Sequence, residues 1–431
     1  MNRIIKRVAS ILGILVLLNV FLKSEDFYSF TNTNYFRYDF GSINVSPDIK
    51  DKIPSVKAVK ADVRDSFAVG DFSRIKDYSF SYLNNLVVDA INASVSSIDC
   101  VIYSINMKDV PDALIAARDR GVKIRIIIDN DHVYPKPDTQ IKKLINAGNG
   151  IEVRTLKGTR SYGVTHNKIT IHDKSIVTTG SYNWTFQATF SNYENMIVLK
   201  DGKYVDGYIK YFEWMWSKAR KISDGPSPVL PEGYYGTPPQ STGYIYYNGY
   251  NFPLYLFSPG SQTENKIAEM IDKAKTSVDA VTFTFSSKPI ADAIIRAYKR
   301  GVNVRFLEDI DMAKSSSMAK MLYEEGVPFK WMGGRDSKGA MHNKFIIIDS
   351  KILATGSFNF TTNASVNSFE NLVLTDNSTV VNAYLTKFNW FYSQATSPQS
   401  SSEFDGASNL SSETKDYLGD ISNFDSEKEI D

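Results

Sequence analysis

Cysteine is nearly absent. Cys100 is the only one in 431 residues, so neither a disulfide framework nor a cysteine-based zinc site can form within one chain. It sits in the alternating run SSIDCVIYSI, where a thiol behaves as a small buried hydrophobe. Histidine is scarce as well. The four residues His132, His166, His172 and His342 lack a compact ligand spacing outside one repeated motif, which argues against a histidine metal centre. Charge of one sign is missing too: 49 Lys+Arg against 48 Asp+Glu give a net charge of +1, without the strongly basic balance of a dedicated nucleic-acid binder. What is abundant is apolar surface, with 42% hydrophobic and 13% aromatic residues, enough to bury large cores.

Arg3, Lys6 and Arg7 precede an uncharged, mostly apolar stretch from Val8 to Leu22. Residues 1–25 therefore read as an export signal. The stretch has the length of a cleaved signal peptide. Extended back across Ile4 and Ile5 it approaches a membrane span, and the lack of a following A-x-A site favours a retained anchor. Either form places the remainder of the chain beyond the membrane. At the other end, residues 396–431 are Ser-rich and acidic, with nine Asp/Glu against two Lys from Glu403 onward, and read as disordered. Without that tail the chain carries a charge of about +8, a mild basic balance suited to an anionic substrate surface.

Self-similarity organises what lies between. SSIDCVIYSINMKDVPDALIAARDRGVKIRIIIDN aligns with TSVDAVTFTFSSKPIADAIIRAYKRGVNVRFLEDI, setting Asp99 on Asp279 and Gly121 on Gly301. Further on, HNKITIHDKSIVTTGSYNWTFQATFSNYEN aligns with HNKFIIIDSKILATGSFNFTTNASVNSFEN, and the second copy is four residues shorter between these blocks. Each copy reads as a helix (81–93 and 263–274), a strand, a second helix (108–119 and 288–299) and a further strand. Gly121 and Gly301 suit left-handed helix ends. A closing helix rich in aromatics follows in both. The expected domains are an extension over 26–74, α/β units over 75–222 and 263–395, and between them a Pro/Gly/Tyr-rich connection over 223–262. The tyrosines of that connection pack on the domains or form an aromatic interface surface.

Both copies carry H-x-K-x4-D-x6-G-S-x-N: His166, Lys168, Asp173, Gly180, Ser181 and Asn183, then His342, Lys344, Asp349, Gly356, Ser357 and Asn359. On a strand, His and Lys at i and i+2 share a face. Two such strands facing each other supply what phosphodiester cleavage needs: a nucleophilic imidazole, a second imidazole as proton donor, and ammonium and amide donors for the phosphoryl oxygens. No metal or other cofactor is required. Gly180 and Gly356, each followed by Ser, suit a turn where backbone approaches the phosphate. Glu194 and Glu370 are candidates to hold an imidazole tautomer. His172 shares the parity of His166 and Lys168, but its counterpart is Ile348, so it reads as a buried, satisfied histidine. His132 reads as a solvated loop residue or an edge contact to substrate.

These residues closely resemble the phospholipase D superfamily, whose signature is the doubled H-x-K-x4-D motif, over roughly 75–220 and 258–395. The resemblance implies two tandem α/β sandwich domains related by pseudo-two-fold symmetry, with both motifs meeting at one site. It implies that His166 and His342 are the nucleophile and acid pair, with His166 favoured as nucleophile although the sequence is nearly symmetric. Lys168, Lys344, Asn183 and Asn359, with Ser181 and Ser357, would bind phosphate. Glu194 and Glu370 would support the histidines, and Asp173 and Asp349 would complete the catalytic set in a mainly supporting role. The wording TGSYNWTFQATFSNYEN and TGSFNFTTNASVNSFEN resembles the bacterial endonuclease and mitochondrial cardiolipin hydrolase branch, in which a single-motif chain dimerises. Here two copies are fused, so no homodimer is needed. The cardiolipin synthase branch usually carries two N-terminal spans, and only one candidate stands here. The expected activity is metal-independent hydrolysis of a phospholipid headgroup ester through a phosphohistidine at a membrane surface, with an exported or anchored endonuclease acting on DNA or RNA as the alternative.

Overall fold

The computed structural model describes residues 70–408, so the apolar leader and most of the 26–74 extension lie outside the described residues. The first copy runs β1 (Tyr78–Ser79), α1 (Leu83–Ala93), β2 (Ser97–Ile102), α2 (Asp109–Asp119), β3 (Lys123–Asp129), α3 (Thr139–Ala147), β4 (Ile151–Leu156), β5 (Lys168–His172), β6 (Ile176–Gly180), α4 (Phe186–Phe190), β7 (Met196–Leu199), α5 (Gly202–Trp216) and β8 (Arg220–Lys221). A hairpin of β9 (Tyr244–Tyr247) and β10 (Tyr250–Pro253) precedes the second copy. That copy runs β11 (Tyr255–Ser258), α6 (Thr263–Asp272), β12 (Ser277–Thr282), α7 (Lys288–Lys299), β13 (Asn303–Asp309), α8 (Ile310–Lys314), α9 (Ser317–Glu324), β14 (Phe329–Met332), β15 (Phe345–Ile348), β16 (Ile352–Gly356), α10 (Thr362–Val366), β17 (Glu370–Thr375) and α11 (Ser378–Gln394).

Sheet order is the same in both copies over seven strands, with β8 an extra edge strand in the first, β1-β7-β6-β5-β2-β3-β4-β8 and β11-β17-β16-β15-β12-β13-β14. Parallel pairing of β2, β3 and β4 follows from the helical crossovers between them, and β5, β6 and β7 join antiparallel. Register is conserved, with Asp99 opposite Arg125 and Ile171 where Asp279 faces Arg305 and Ile347. The four-residue shortening is thus absorbed before the motif strand without slipping the sheet. α2 and α7 end as their glycines require: Gly121 and Gly301 have φ of 96° and 83°, and the N–H groups of Val122 and Val302 reach back to Ala117 and Ala297.

A half-buried ion pair explains the repeated aspartate. Arg125 grips Asp99 with two nitrogens at 2.7 and 2.8 Å and lies over the Phe212 and Trp216 rings of α5. Arg305 repeats this with Asp279 at 2.6 Å under Phe388 and Tyr392 of α11. The aromatic closing helices therefore cover one sheet face through a cation as well as apolar contact. α5 also reaches across to the other copy, where Tyr208 and Tyr211 donate to the Asn371 side chain and the Ser258 carbonyl.

Two boundaries differ from the expected ones. β11 is a strand of the second sheet, so that sheet begins within the connection, at Tyr255. The tyrosines of the connection divide into bonded and exposed ones. Tyr247 and Tyr250 donate to Asp349 and Glu269, and Tyr235 donates to the Lys157 carbonyl, while Tyr234, Tyr244 and Tyr246 stay exposed. The expected disorder from residue 396 is also corrected. Thr396 exchanges backbone hydrogen bonds with Trp331, and Phe404 is buried against Tyr323, Phe329 and Trp331. One large aromatic outweighs the polar composition around it over this short span. Residues beyond 408 lie outside the described residues.

Candidate functional site

The two motif strands begin at the junction of the copies. The His166 N–H donates to the Phe369 carbonyl and the His342 N–H to the Tyr193 carbonyl, both at 3.0 Å, so short parallel bridges link Thr165 to Phe369 and Tyr193 to Met341. Each bridge sets the glutamate of one copy beside the histidine of the other. Glu370 Oε1 lies 2.7 Å from His166 Nδ1, and Glu194 Oε1 lies 2.8 Å from His342 Nδ1. A carboxylate at Nδ1 places the proton there and leaves Nε2 with a lone pair for chemistry.

Two asparagines per copy, which the sequence reading passed over, brace this exchange. Asn371 Nδ2 donates to Asn167 Oδ1 at 2.8 Å, and Asn195 Nδ2 donates to Asn343 Oδ1 at 2.9 Å. Thr179 and Tyr208 donate to Asn371 Oδ1, while Thr355 and Tyr384 donate to Asn195 Oδ1. Each asparagine follows a motif residue, in HNK or in EN, and that adjacency was the available signal. Asp129 and Asp309, also passed over, accept from the N–H just ahead of each histidine, at Thr165 and Met341. Burial pushes these two carboxyls up, to about 6 and about 7.

Lys168 and Lys344 are buried, and each Nζ donates to the carbonyl of its own motif histidine, at 2.6 and 2.7 Å. Their ammoniums lie over the rings of Tyr103 and Phe283, 5.2 and 5.1 Å from the centroids. Those same rings meet His166 and His342 edge-on. An ammonium fixed in this way is a preorganised donor for an anion. Asn183 and Asn359 are buried beside the motif, and Asn183 Oδ1 has no hydrogen-bond partner among the described residues.

Burial pushes Glu194 up to about 7 against the pull of Lys344, and Glu370 up to about 8 against that of Lys168. His342 is driven well below the ordinary imidazole value by burial and then by Lys344 and Lys168. The cleft thus resists holding more positive charge.

Three expectations change. Ser181 and Ser357 do not stand ready for phosphate: each hydroxyl donates to the glutamate of its own copy, Glu194 or Glu370, and accepts from the following Asn N–H. They position the carboxylates that position the histidines. Gly180 and Gly356 are small because a neighbouring strand is close, since a Cβ on either would sit 2.2 Å from the Asn195 or Asn371 carbonyl oxygen. Asp173 and Asp349 lie at the far end of the motif strand, roughly 17 Å along from the lysines at about 3.3 Å per residue. Asp173 accepts from the backbone N–H of Val95, Ser96 and Ser97, and Asp349 from Lys275, Thr276 and Ser277. They are loop anchors and do not reach the cleft.

His172 is buried between Ser94 and Thr170. His132 is buried too, correcting the solvated reading. Its Nδ1 lies 2.7 Å from Asp138, and its ring packs edge-on against Tyr103 at 4.7 Å.

A profile described as cardiolipin synthase, PLD-like domain, matches residues 87–216 and 267–392, more than half of the chain. The mitochondrial cardiolipin hydrolase of Xenopus tropicalis is 34% identical over 125 residues, 29% of this chain and 58% of that protein. A phospholipase D of Rickettsia prowazekii (strain Madrid E) is 36% identical over 141 residues, covering 33% of this chain and 67% of that protein. The chain spans little more than half the length of several curated relatives that it matches. Among solved structures, the phosphatidylserine synthase of Haemophilus influenzae Rd KW20 covers 81% of this chain and 94% of its own, with a TM-score of 0.57 at 12% identity, a likeness of fold alone.

Proposed function

Since this chain belongs to the phospholipase D-like family, we propose that it hydrolyses a phospholipid headgroup phosphodiester through a covalent phosphohistidine, without a metal ion. The observation that carries this reading is the pair of imidazoles whose Nδ1 atoms are held by buried carboxylates, each beside a fixed ammonium. In the first step Nε2 of one histidine attacks phosphorus while the other, entering as the doubly protonated imidazolium that the bound diester anion favours, gives its Nε2 proton to the leaving alcohol oxygen. A phosphoramidate bond forms as the ester bond breaks. In the second step that now neutral imidazole takes a proton from water, the oxygen displaces the phosphohistidine nitrogen, and phosphatidic acid leaves. Lys168, Lys344, Asn183 and Asn359 face the charge that shifts onto the phosphoryl oxygens. The family resemblance favours His166 as the nucleophile.

The names of the cardiolipin hydrolase and phospholipase D relatives support a lipid substrate. The apolar leader supports placing the enzyme beyond the membrane, anchored or released, and the two motifs within one chain support a site that needs no second copy. The deciding assay offers phosphatidylcholine or cardiolipin vesicles and single-stranded DNA side by side, with His342→Ala as control and a chelator arm. Headgroup release that depends on His342 and survives chelator is the expected result. His342-dependent DNA cleavage with inert vesicles would make the chain an exported nuclease, and strong chelator inhibition would sink the metal-free scheme.

A further inference from the structure

α4 carries Phe186 and Phe190 one helical turn apart. Their rings are 4.6 Å between centroids, and the residues are 52% and 43% exposed. Two neighbouring phenylalanines left this open lose apolar burial that the fold could otherwise have taken. The second copy shows a less apolar alternative. There α10 has an exposed Thr362 and a half-buried Val366 at the matching positions, and the Thr362 hydroxyl donates to Glu264. The corresponding face of α4 keeps its two rings open.

The pair is also close to site residues along the chain. It falls in the short segment between Asn183 and Glu194, within a turn of helix from each. Its surroundings carry a small excess of positive charge. The Phe186 N–H donates to Asn106, two residues from exposed Lys108; Gln187 donates to the Lys338 carbonyl; and the Arg335 N–H donates to the Ser191 carbonyl just past Phe190. Lys108, Arg335 and Lys338 are exposed, while the nearby acids Asp109 and Asp336 accept from Asn84 and Ser191. Two exposed aromatic rings flanked by three exposed cations and two exposed acids, a small net positive charge, suit the boundary between headgroups and acyl chains of an anionic bilayer.

We propose that α4 is a membrane-docking element, with Phe186 and Phe190 entering the acyl boundary of an anionic leaflet while Lys108, Arg335 and Lys338 meet its headgroups, so that the cleft opens onto the lipid. This deepens the proposed lipid-hydrolase reading, and only the second experiment below rests on it. In the first, the full chain carrying His342→Ala is compared with the same chain also carrying Phe186→Trp. The vesicles are phosphatidylglycerol with brominated acyl chains, and phosphatidylcholine with the same chains. The expected result is additional tryptophan quenching in the Phe186→Trp protein on phosphatidylglycerol, weakened by salt. No additional quenching would overturn the proposal. So would a blue-shifted emission of the introduced tryptophan before any lipid is added, which would show the pair covered by residues 1–69 or by a second copy.

In the second, Phe186→Ser/Phe190→Ser is assayed in the catalytically intact chain on phosphatidylglycerol vesicles and on soluble bis(p-nitrophenyl) phosphate. Vesicle turnover should fall about tenfold with the soluble rate unchanged. Equal rates on vesicles, or a parallel fall on both substrates, would overturn it. A wild-type chain inert on every vesicle would remove the lipid-hydrolase reading and leave the quenching result to decide docking.

Discussion

Glu370 serves a histidine 204 positions away in the chain, and that separation sets a direct test. A Glu370→Gln exchange should shift the ring nitrogen resonances of His166 and leave those of His342 nearly still, while kcat falls by roughly 10² to 10³ through loss of the tautomer-fixing carboxylate. Movement of the His342 signals instead would contradict the crosswise pairing. His172 makes a different prediction. Burial pushes it down to about 4, whereas an unfolded chain binds that proton near ~6.5. As pH falls between those values, the unfolded state takes up a proton that the folded state refuses. Stability is therefore full above ~6.5 and declines toward pH 4, by roughly 3 kcal/mol at the lower end. His172→Gln should flatten the fall of Tm over that window, and an unchanged slope would show that the burden lies elsewhere. The sequence already separated His172 from the motif histidines, because Ile348 at its counterpart shows that the position accepts an apolar side chain.

Among the elements, the motif strand has two ends with different duties. Asp349→Ala would strand the Lys275, Thr276 and Ser277 N–H groups and should cost about 2 to 4 kcal/mol of stability. The kcat of the folded fraction should stay within a few-fold of wild type. A loss of kcat by orders of magnitude with an unshifted Tm would put the aspartate back in the chemistry. Helices were legible where periodicity and a terminal glycine coincide, as at α2 and α7. The roles of Ser181 and Ser357 were not, because the reason for a hydroxyl there is a glutamate that folding brings back from the next strand. The ordered segment around Phe404 was hidden likewise: its partners Tyr323, Phe329 and Trp331 lie some seventy to eighty residues earlier, and composition carries no trace of them.

For the whole molecule, internal repetition announced the doubled architecture, and the conserved sheet order and register accord with it. Which glutamate meets which histidine could not be read, since both arrangements satisfy the same spacing and only the bridges at Phe369 and Tyr193 choose between them. Because both histidines belong to one chain, mixing full-length His166→Ala and His342→Ala proteins should restore no activity. Recovery toward a quarter or more of the wild-type rate would reveal sites shared between chains. The two walls of the cleft are also unlike: Tyr103, with His132 behind it, packs on His166, whereas Phe283 packs on His342. A symmetric pair of identical chains must duplicate every change on both walls at once. One continuous polypeptide is released from that rule, so its cleft can distinguish left from right.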